Sequence, residues 1–106
     1  MKAILVDDDA LSLDLLVNLC EQSPQIDIRG TFSDSKEALA FAKENPVELV
    51  LCDIEMPNLN GIELSVALRR IYPKVVIGFT TAHEDYVLDA LDKSVDFYMM
   101  KPYSVD

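Results

Sequence analysis

Residues 2–9 read Lys-Ala-Ile-Leu-Val-Asp-Asp-Asp, a short apolar run that ends in three consecutive aspartates. The pattern returns at residues 49–53, Leu-Val-Leu-Cys-Asp, where a second apolar run ends in Asp53. Continuous apolar runs are typical of parallel strands that are covered on both faces. In an open parallel sheet the carboxyl ends of all strands lie at one edge. The two runs therefore predict a buried parallel sheet with aspartates gathered at one edge.

Three more candidate strands alternate regularly with amphipathic segments. Strands are expected at about 2–7, 26–32, 48–53, 75–80 and 97–101. Helices are expected at about 10–22, from Ser33-Asp34 to Asn45-Pro46, from Gly61 to just before Pro73, and at about 84–91. This βαβ alternation predicts a doubly wound α/β fold in a single domain.

Local signals refine the first two helices. The first helix is expected to bury a stripe of four leucines, Leu11, Leu15, Leu16 and Leu19. Asp34 is expected to begin the second helix, with Glu37 in its first turn. Asp9 is interpreted as a helix-terminal acid that interacts with the helix dipole, rather than as a metal ligand.

Composition excludes several classes of protein. Nineteen acidic and nine basic residues give a net charge of −10, which disfavours direct binding to nucleic acid because that binding depends on basic residues. No apolar run approaches the ~20 residues of a membrane span, and the N-terminus does not resemble a signal peptide. We therefore expect a soluble, cytoplasmic domain without membrane contacts. Cys20 and Cys52 have no zinc-type spacing and are expected to be reduced and buried.

The strand-end residues suggest metal-assisted phosphate chemistry. Asp7, Asp8 and Asp53 offer the oxygen ligands that Mg²⁺ prefers. An aspartate beside Mg²⁺ can attack a phosphoryl group, and a lysine such as Lys101 can offset the charge of its oxygens. Thr80-Thr81, at the end of another strand, could supply a hydroxyl donor.

In this order and spacing, the motifs resemble the receiver domain of two-component response regulators. The resemblance covers essentially the whole chain and rests on four segments: Ile4-Leu5-Val6-Asp7-Asp8-Asp9, Leu51-Cys52-Asp53-Ile54-Glu55-Met56-Pro57 with Asn60-Gly61, Phe79-Thr80-Thr81-Ala82, and Asp96-Phe97-Tyr98-Met99-Met100-Lys101-Pro102. It implies a flavodoxin-like, five-stranded parallel sheet with strand order 2-1-3-4-5.

The resemblance also implies roles for individual residues. Asp53 would be the phosphoacceptor, and Mg²⁺ would be held by Asp7, Asp8, Asp53 and the backbone carbonyl of Glu55. Lys101 and Thr81 would contact the phosphoryl group, and Tyr98 would turn inward as the switch aromatic. Glu55 and His83 occupy positions that tune the lifetime of the acyl phosphate; a solvent-facing helix start is the other interpretation of His83.

Partners follow from the same resemblance. A sensor histidine kinase would phosphorylate Asp53, and the face formed by the fourth helix and fifth strand would contact an output domain, a partner protein or a second copy in a homodimer. The short interval between Thr81 and Lys101 looks most like receivers joined to LytTR-type DNA-binding outputs.

Two departures from the family pattern stand out. Asn60 replaces the aspartate that many receivers carry before the glycine, and the family's fifth helix is missing. We therefore expect residues 1–106 to be one receiver domain truncated before its last helix, with apolar side chains of the third to fifth strands uncovered on one face.

Two alternatives use the same residues differently. A haloacid-dehalogenase-type phosphatase also has a strand-end aspartate, but its D-x-D-x-T signature would need aspartate and threonine where Glu55 and Pro57 stand. A receiver kept as a docking module without phosphorylation would not need the intact set of Asp8, Asp53, Thr81 and Lys101.

Overall fold

The computed structural model describes residues 1–54, 59–81 and 96–100. The elements in chain order are β1 (Lys2–Val6), α1 (Ala10–Glu21), β2 (Asp27–Phe32), α2 (Ser35–Glu44), β3 (Leu49–Asp53), α3 (Gly61–Ile71), β4 (Val76–Thr81) and β5 (Phe97–Met100). Each predicted strand is present, and the first three helices lie within about two residues of their predicted bounds. The predicted fourth helix falls on residues 84–91, outside the described residues.

The five strands form one parallel sheet in the order β2-β1-β3-β4-β5. The flavodoxin-like topology expected from the sequence is therefore confirmed. The pairing of β1 with β2 shifts register between Ala3 and Ile4, which pair with Ile28 and Gly30, so Arg29 is skipped. The local bulge lies at an edge of the sheet, where irregular pairing discourages a further strand from adding.

The helices cover both faces of the sheet. On one face, Leu16 and Cys20 of α1 pack with Leu5 and Leu51. On the other face, side chains of α2 and α3 pack against β1, β3 and β4; the buried helix residues there are Ala38, Ala42, Leu64 and Leu68. This division follows from right-handed crossovers, since the chain moves outward from β1 in opposite directions.

The predicted buried stripe of α1 is wrong in part. Leu16 is fully buried, but Leu11 and Leu15 are 67% and 41% exposed. The face that packs on the sheet is instead formed by Leu13, Leu16, Val17 and Cys20. Because α1 carries apolar residues on most of its circumference, sequence periodicity alone could not select the side that meets the sheet.

The expected uncovered face is also only partly observed. Leu49 and Leu51 of β3 are 6% and 3% exposed, so the prediction is wrong for the third strand. Since β3 lies beside β1, α1 covers both strands. Gly78 on β4 lacks a side chain, and the Phe97 ring and Leu51 fill the space where a Cβ would lie. Phe97 itself remains 37% exposed.

Both cysteines are free and buried, as predicted. Cys20 belongs to the α1 side of the sheet and Cys52 to the opposite side, so the sheet separates them. Among the described residues, none of the helices has the length and apolar character that crossing a bilayer requires.

Candidate functional site

Three aspartates meet at the carboxyl edge of the central strands. Asp7 follows β1 directly and Asp53 is the last residue of the neighbouring strand β3. One carboxylate oxygen from each of Asp7, Asp8 and Asp53 lies within 4.8 Å of the others. Asp7 and Asp53 are buried whereas Asp8 is exposed, so the cluster is open to solvent on one side. The structure thus brings together the three acids that the sequence selected.

Backbone hydrogen bonds fix the β1 end of this cluster. The Asp7 N–H donates to the Phe32 carbonyl at 2.9 Å, which extends the sheet by one residue beyond β1. The Asp7 Oδ1 accepts from the Asp9 N–H at 2.9 Å. Asp9 itself caps α1, accepting from the Leu11 N–H at 3.3 Å and the Ser12 hydroxyl at 2.8 Å. The interpretation of Asp9 as a helix-terminal residue is confirmed.

The N-terminus of α3 lies against the backbone of Asp53. A Cβ placed on Gly61 would lie 2.4 Å from the Asp53 carbonyl oxygen and 2.9 Å from the Ile54 Cα. The Gly61 N–H donates to the Ile54 carbonyl at 3.0 Å, and the Ile54 N–H donates to the backbone carbonyl of Thr80 at 3.2 Å. Only glycine permits this close approach. The site is therefore supported by direct contact between α3 and β3.

A reciprocal capping box begins α3. The Asn60 side chain accepts from the Glu63 N–H at 2.9 Å, and the Asn60 N–H donates to the Glu63 carboxylate at 3.2 Å. The sequence predicted a helix from Gly61 without this cap, although the Asn-x-x-Glu spacing carries the signal. Since asparagine and aspartate cap helices about equally well, Asn60 preserves this structural role.

The candidate hydroxyl donors stand at the end of β4. Thr80 pairs in register with Asp53, and Thr81 is the last residue of the strand; both are buried. Tyr98 lies in β5 and pairs in register with Phe79, but its side chain is outside the described part of the structure. Glu55, His83 and Lys101 also fall outside the described residues.

Cys52 marks the electrostatic character of this edge. Complete burial is the main cause that raises the pKa of the Cys52 thiol far above its usual range. The negative charges of Asp53 and Asp7 raise this pKa further. The thiol is therefore neutral, and its sulfur is 3.9 Å from the Gly61 carbonyl oxygen. Cys52 acts as a small core residue rather than as a nucleophile.

The donor set fits a hard divalent cation. Three carboxylates, two of them buried, concentrate negative charge at one point. Oxygen ligands of this type suit Mg²⁺, which commonly keeps some waters and binds through a few carboxylates. The exposed Asp8 leaves a side on which waters or phosphate oxygens could complete the coordination shell.

Comparison with known proteins identifies the family. Residues 3–106 match the response regulator receiver domain. This chain belongs to the receiver domain family. Receiver domains are signalling domains and bind Mg²⁺ through acidic residues of this kind.

Individual relatives agree with that assignment. The chain is 33% identical over 103 residues to the transcriptional regulatory protein YpdB of Escherichia coli K12, a match that spans 97% of this chain and 42% of YpdB. It is 30% identical over 103 residues to the sensory transduction protein LytT of Bacillus anthracis, again spanning 97% of this chain and 42% of the relative. The crystal structure of the response regulatory domain of MrkE from Klebsiella pneumoniae superposes with a TM-score of 0.89 at 31% identity, over 99% of this chain and 86% of that one.

These matches cover only part of each curated relative. The receiver chain spans less than half the length of YpdB and LytT. Family membership favours a signalling role over the phosphatase alternative.

Proposed function

We propose that this receiver domain is a phosphorylation-dependent switch in which Asp53 accepts a phosphoryl group from a sensor histidine kinase. The observation that carries the proposal is the convergence of the Asp7, Asp8 and Asp53 carboxylates within 4.8 Å at the carboxyl edge of the sheet. Of the three aspartates, Asp53 is the one that is itself the last residue of a strand. Its backbone pairs with β4 and contacts the start of α3.

In the proposed reaction a carboxylate oxygen of Asp53 attacks the phosphorus of the kinase phosphohistidine. The new O–P bond forms as the P–N bond breaks, and the imidazole nitrogen leaves with the electron pair. Bound Mg²⁺ supplies positive charge that offsets the charge of the phosphoryl oxygens. Asp7, Asp8 and Asp53, with the Glu55 carbonyl, would hold the ion.

The remaining residues would stabilise and read the phosphorylated state. Lys101 would pair with a phosphoryl oxygen, and the Thr81 hydroxyl would bond another. Tyr98 would turn inward as Thr81 moves, altering the face formed by the fourth helix and β5. Glu55 and His83 would tune how long the acyl phosphate survives.

We further propose that residues 1–106 form one domain of a longer cytoplasmic regulator. Support comes from YpdB, whose name describes a transcriptional regulatory protein and which is more than twice the length matched here. An output domain, of the LytTR type by resemblance, would bind DNA and the receiver itself would not. The altered face would contact that output or a second receiver.

Phosphorylation can be tested with a small donor. Incubation with acetyl phosphate and Mg²⁺ should add one phosphoryl mass to the intact chain, in a form that is labile to base or hydroxylamine. Asp53→Asn should abolish the added mass, because the amide is not a nucleophile. Lys101→Ala should retain a site but reduce its yield.

Asp14→Asn serves as the matched control. It makes the same change at an exposed position of α1 and should be phosphorylated like the parent chain. An unchanged phosphoprotein yield in Asp53→Asn would place the nucleophile elsewhere and reject the proposal.

A further inference from the structure

A buried serine ties α2 to the connection between β3 and α3. Ser35, the first residue of α2, is fully buried, and its hydroxyl donates to the carbonyl oxygen of Leu59. These residues are 24 positions apart, so the bond joins two separate crossovers of the fold. The helix does not need this hydroxyl for its own start, because the Asp34 carboxylate accepts from the Lys36 N–H at 3.0 Å.

Leu59 lies where the connection joins α3. The next residue, Asn60, caps the helix, and Gly61 bonds to Ile54 at 3.0 Å and packs against the Asp53 backbone. The connection therefore starts directly after the proposed phosphoacceptor and is closed at its base by the Gly61–Ile54 bond. Ser35 supplies a further attachment at Leu59, from a different helix.

We propose that Ser35 is a positioning residue for the metal site. By fixing Leu59, it holds the start of α3, where Gly61 packs against the Asp53 backbone beside the aspartate cluster. The inference rests on the proposed function and deepens it, since Asp53 is both a proposed ligand of the metal and the proposed phosphoacceptor. Ser35 touches neither metal nor phosphate and acts through Leu59.

The size of the effect follows from the bond that is lost. A neutral hydrogen bond shifts an equilibrium by roughly 2- to 10-fold. Without the Ser35 hydroxyl, Leu59 and the adjoining start of α3 would gain conformational freedom that Mg²⁺ binding must then remove. Ser35→Ala should therefore raise the Mg²⁺ dissociation constant by about 2- to 10-fold.

Ser65 provides a matched control. Its side chain is also buried, at 3% exposure, and its hydroxyl donates to the Ile62 carbonyl at 2.7 Å. Both partners of this bond lie within α3, so Ser65→Ala removes the same chemical group from the interior without releasing Leu59. We expect Ser65→Ala to be less stable than the parent chain but to bind Mg²⁺ with the same affinity.

The experiment measures Mg²⁺ binding calorimetrically for the parent chain, Ser35→Ala and Ser65→Ala, together with amide hydrogen exchange at Asn60 and Gly61. Ser35→Ala should weaken Mg²⁺ binding and accelerate exchange at these amides more than Ser65→Ala does. Equal Mg²⁺ affinities in Ser35→Ala and the parent, or equal losses in the two variants, would overturn the role of Ser35 while leaving the metal site intact. Failure of the parent itself to bind Mg²⁺ would overturn the proposed function and this inference together.

Discussion

At the scale of single residues, Cys52 shows how strongly the carboxyl edge disfavours further negative charge. The thiol is fully buried next to Asp53, and burial together with the Asp53 and Asp7 charges raises its pKa far above the ordinary value of 9.0. The unfolded chain exposes the thiol and lets it ionise near that ordinary value. The folded state keeps the proton, so the neutral thiol contributes to the free energy of unfolding below pH 9.0. This contribution is lost as the pH rises above 9.0.

The pH dependence of unfolding tests this description of Cys52. The free energy of unfolding of the parent chain, measured with urea at about pH 8 and about pH 10, should fall at the higher pH. Cys52→Ala should lower stability at both pH values but show a smaller fall between them, because its side chain has no proton to lose. Identical falls in the two proteins would mean that the Cys52 thiol ionises equally easily in the folded state.

At the scale of elements, the approach of α3 to β3 depends on one glycine. Gly61→Ala would place a methyl carbon 2.4 Å from the Asp53 backbone oxygen, and backbone cannot move aside as a side chain can. Overpacking of this kind costs about 1–3 kcal/mol. We expect Gly61→Ala to lower the melting temperature and weaken Mg²⁺ binding.

Gly30→Ala is the natural comparison, since its new methyl group would lie 2.9 Å from the Phe32 ring and 3.8 Å from Phe41, both of them side chains. A side chain on the edge strand β2 can shift more readily than backbone can. The Gly30 substitution should cost less than the Gly61 substitution and leave Mg²⁺ affinity unchanged. A larger fall in melting temperature for Gly30→Ala than for Gly61→Ala would contradict the close contact between α3 and Asp53.

A second link between elements attaches β5 to the rest of the sheet. The Asp96 carboxylate accepts from the Arg69 guanidinium and from the Ile77 N–H, each at 2.7 Å. Arg69 also donates to the Val75 carbonyl at 3.0 Å, so α3, β4 and the start of β5 share one polar cluster. The side chain of Asp96 is 43% exposed, which limits the value of the ion pair itself.

Asp96→Ala should destabilise the domain by roughly 1–3 kcal/mol, because it leaves a backbone N–H and a half-buried guanidinium with fewer acceptors. Asp27→Ala removes an ion pair with Arg29 of similar length, 2.8 Å, at an exposed edge. That control should cost about 0–1 kcal/mol. Chemical denaturation measures the free energy of unfolding of the two variants. Equal losses in Asp96→Ala and Asp27→Ala would mean that the Asp96 cluster is worth no more than an ordinary surface ion pair.

At the scale of the whole molecule, the acidic cluster links folding to cation binding. The folded chain gathers three carboxylates within 4.8 Å, whereas the unfolded chain has no such site. A cation that binds only the folded state, at ~100 times its dissociation constant, adds about 2.7 kcal/mol of stability. Thermal melts of the parent chain should therefore shift upward in Mg²⁺ relative to EDTA.

Asp53→Asn should raise the metal-free melting temperature and reduce the Mg²⁺ gain, since it removes one of three mutually repelling charges. Asp14→Asn changes the net charge equally on the exposed surface of α1 and should keep the full gain. Coincident melts of the parent chain in Mg²⁺ and EDTA would reject the account of the site.

Patterns within the sequence were enough to predict the alternation of elements, the two-sided burial of the sheet and the three aspartates that meet at its edge. These properties are local or periodic: apolar runs at residues 2–6 and 49–52 specify buried parallel strands, and strand ends in such a sheet share one edge. The N-cap roles of Asp9 and Asp34 were predictable for the same reason, since a cap depends on residues a few positions away.

Three features depended on the packing of the whole fold: the buried side of α1, the cover over β3, and the contacts that hold the start of α3. Leu11 and Leu16 are equally apolar, and the position of the sheet alone exposes one and buries the other. The Ser35–Leu59 bond and the approach of Gly61 to Asp53 join segments that are distant in sequence or separated by a loop. Such contacts depend on how the crossovers pack together, which no local pattern encodes.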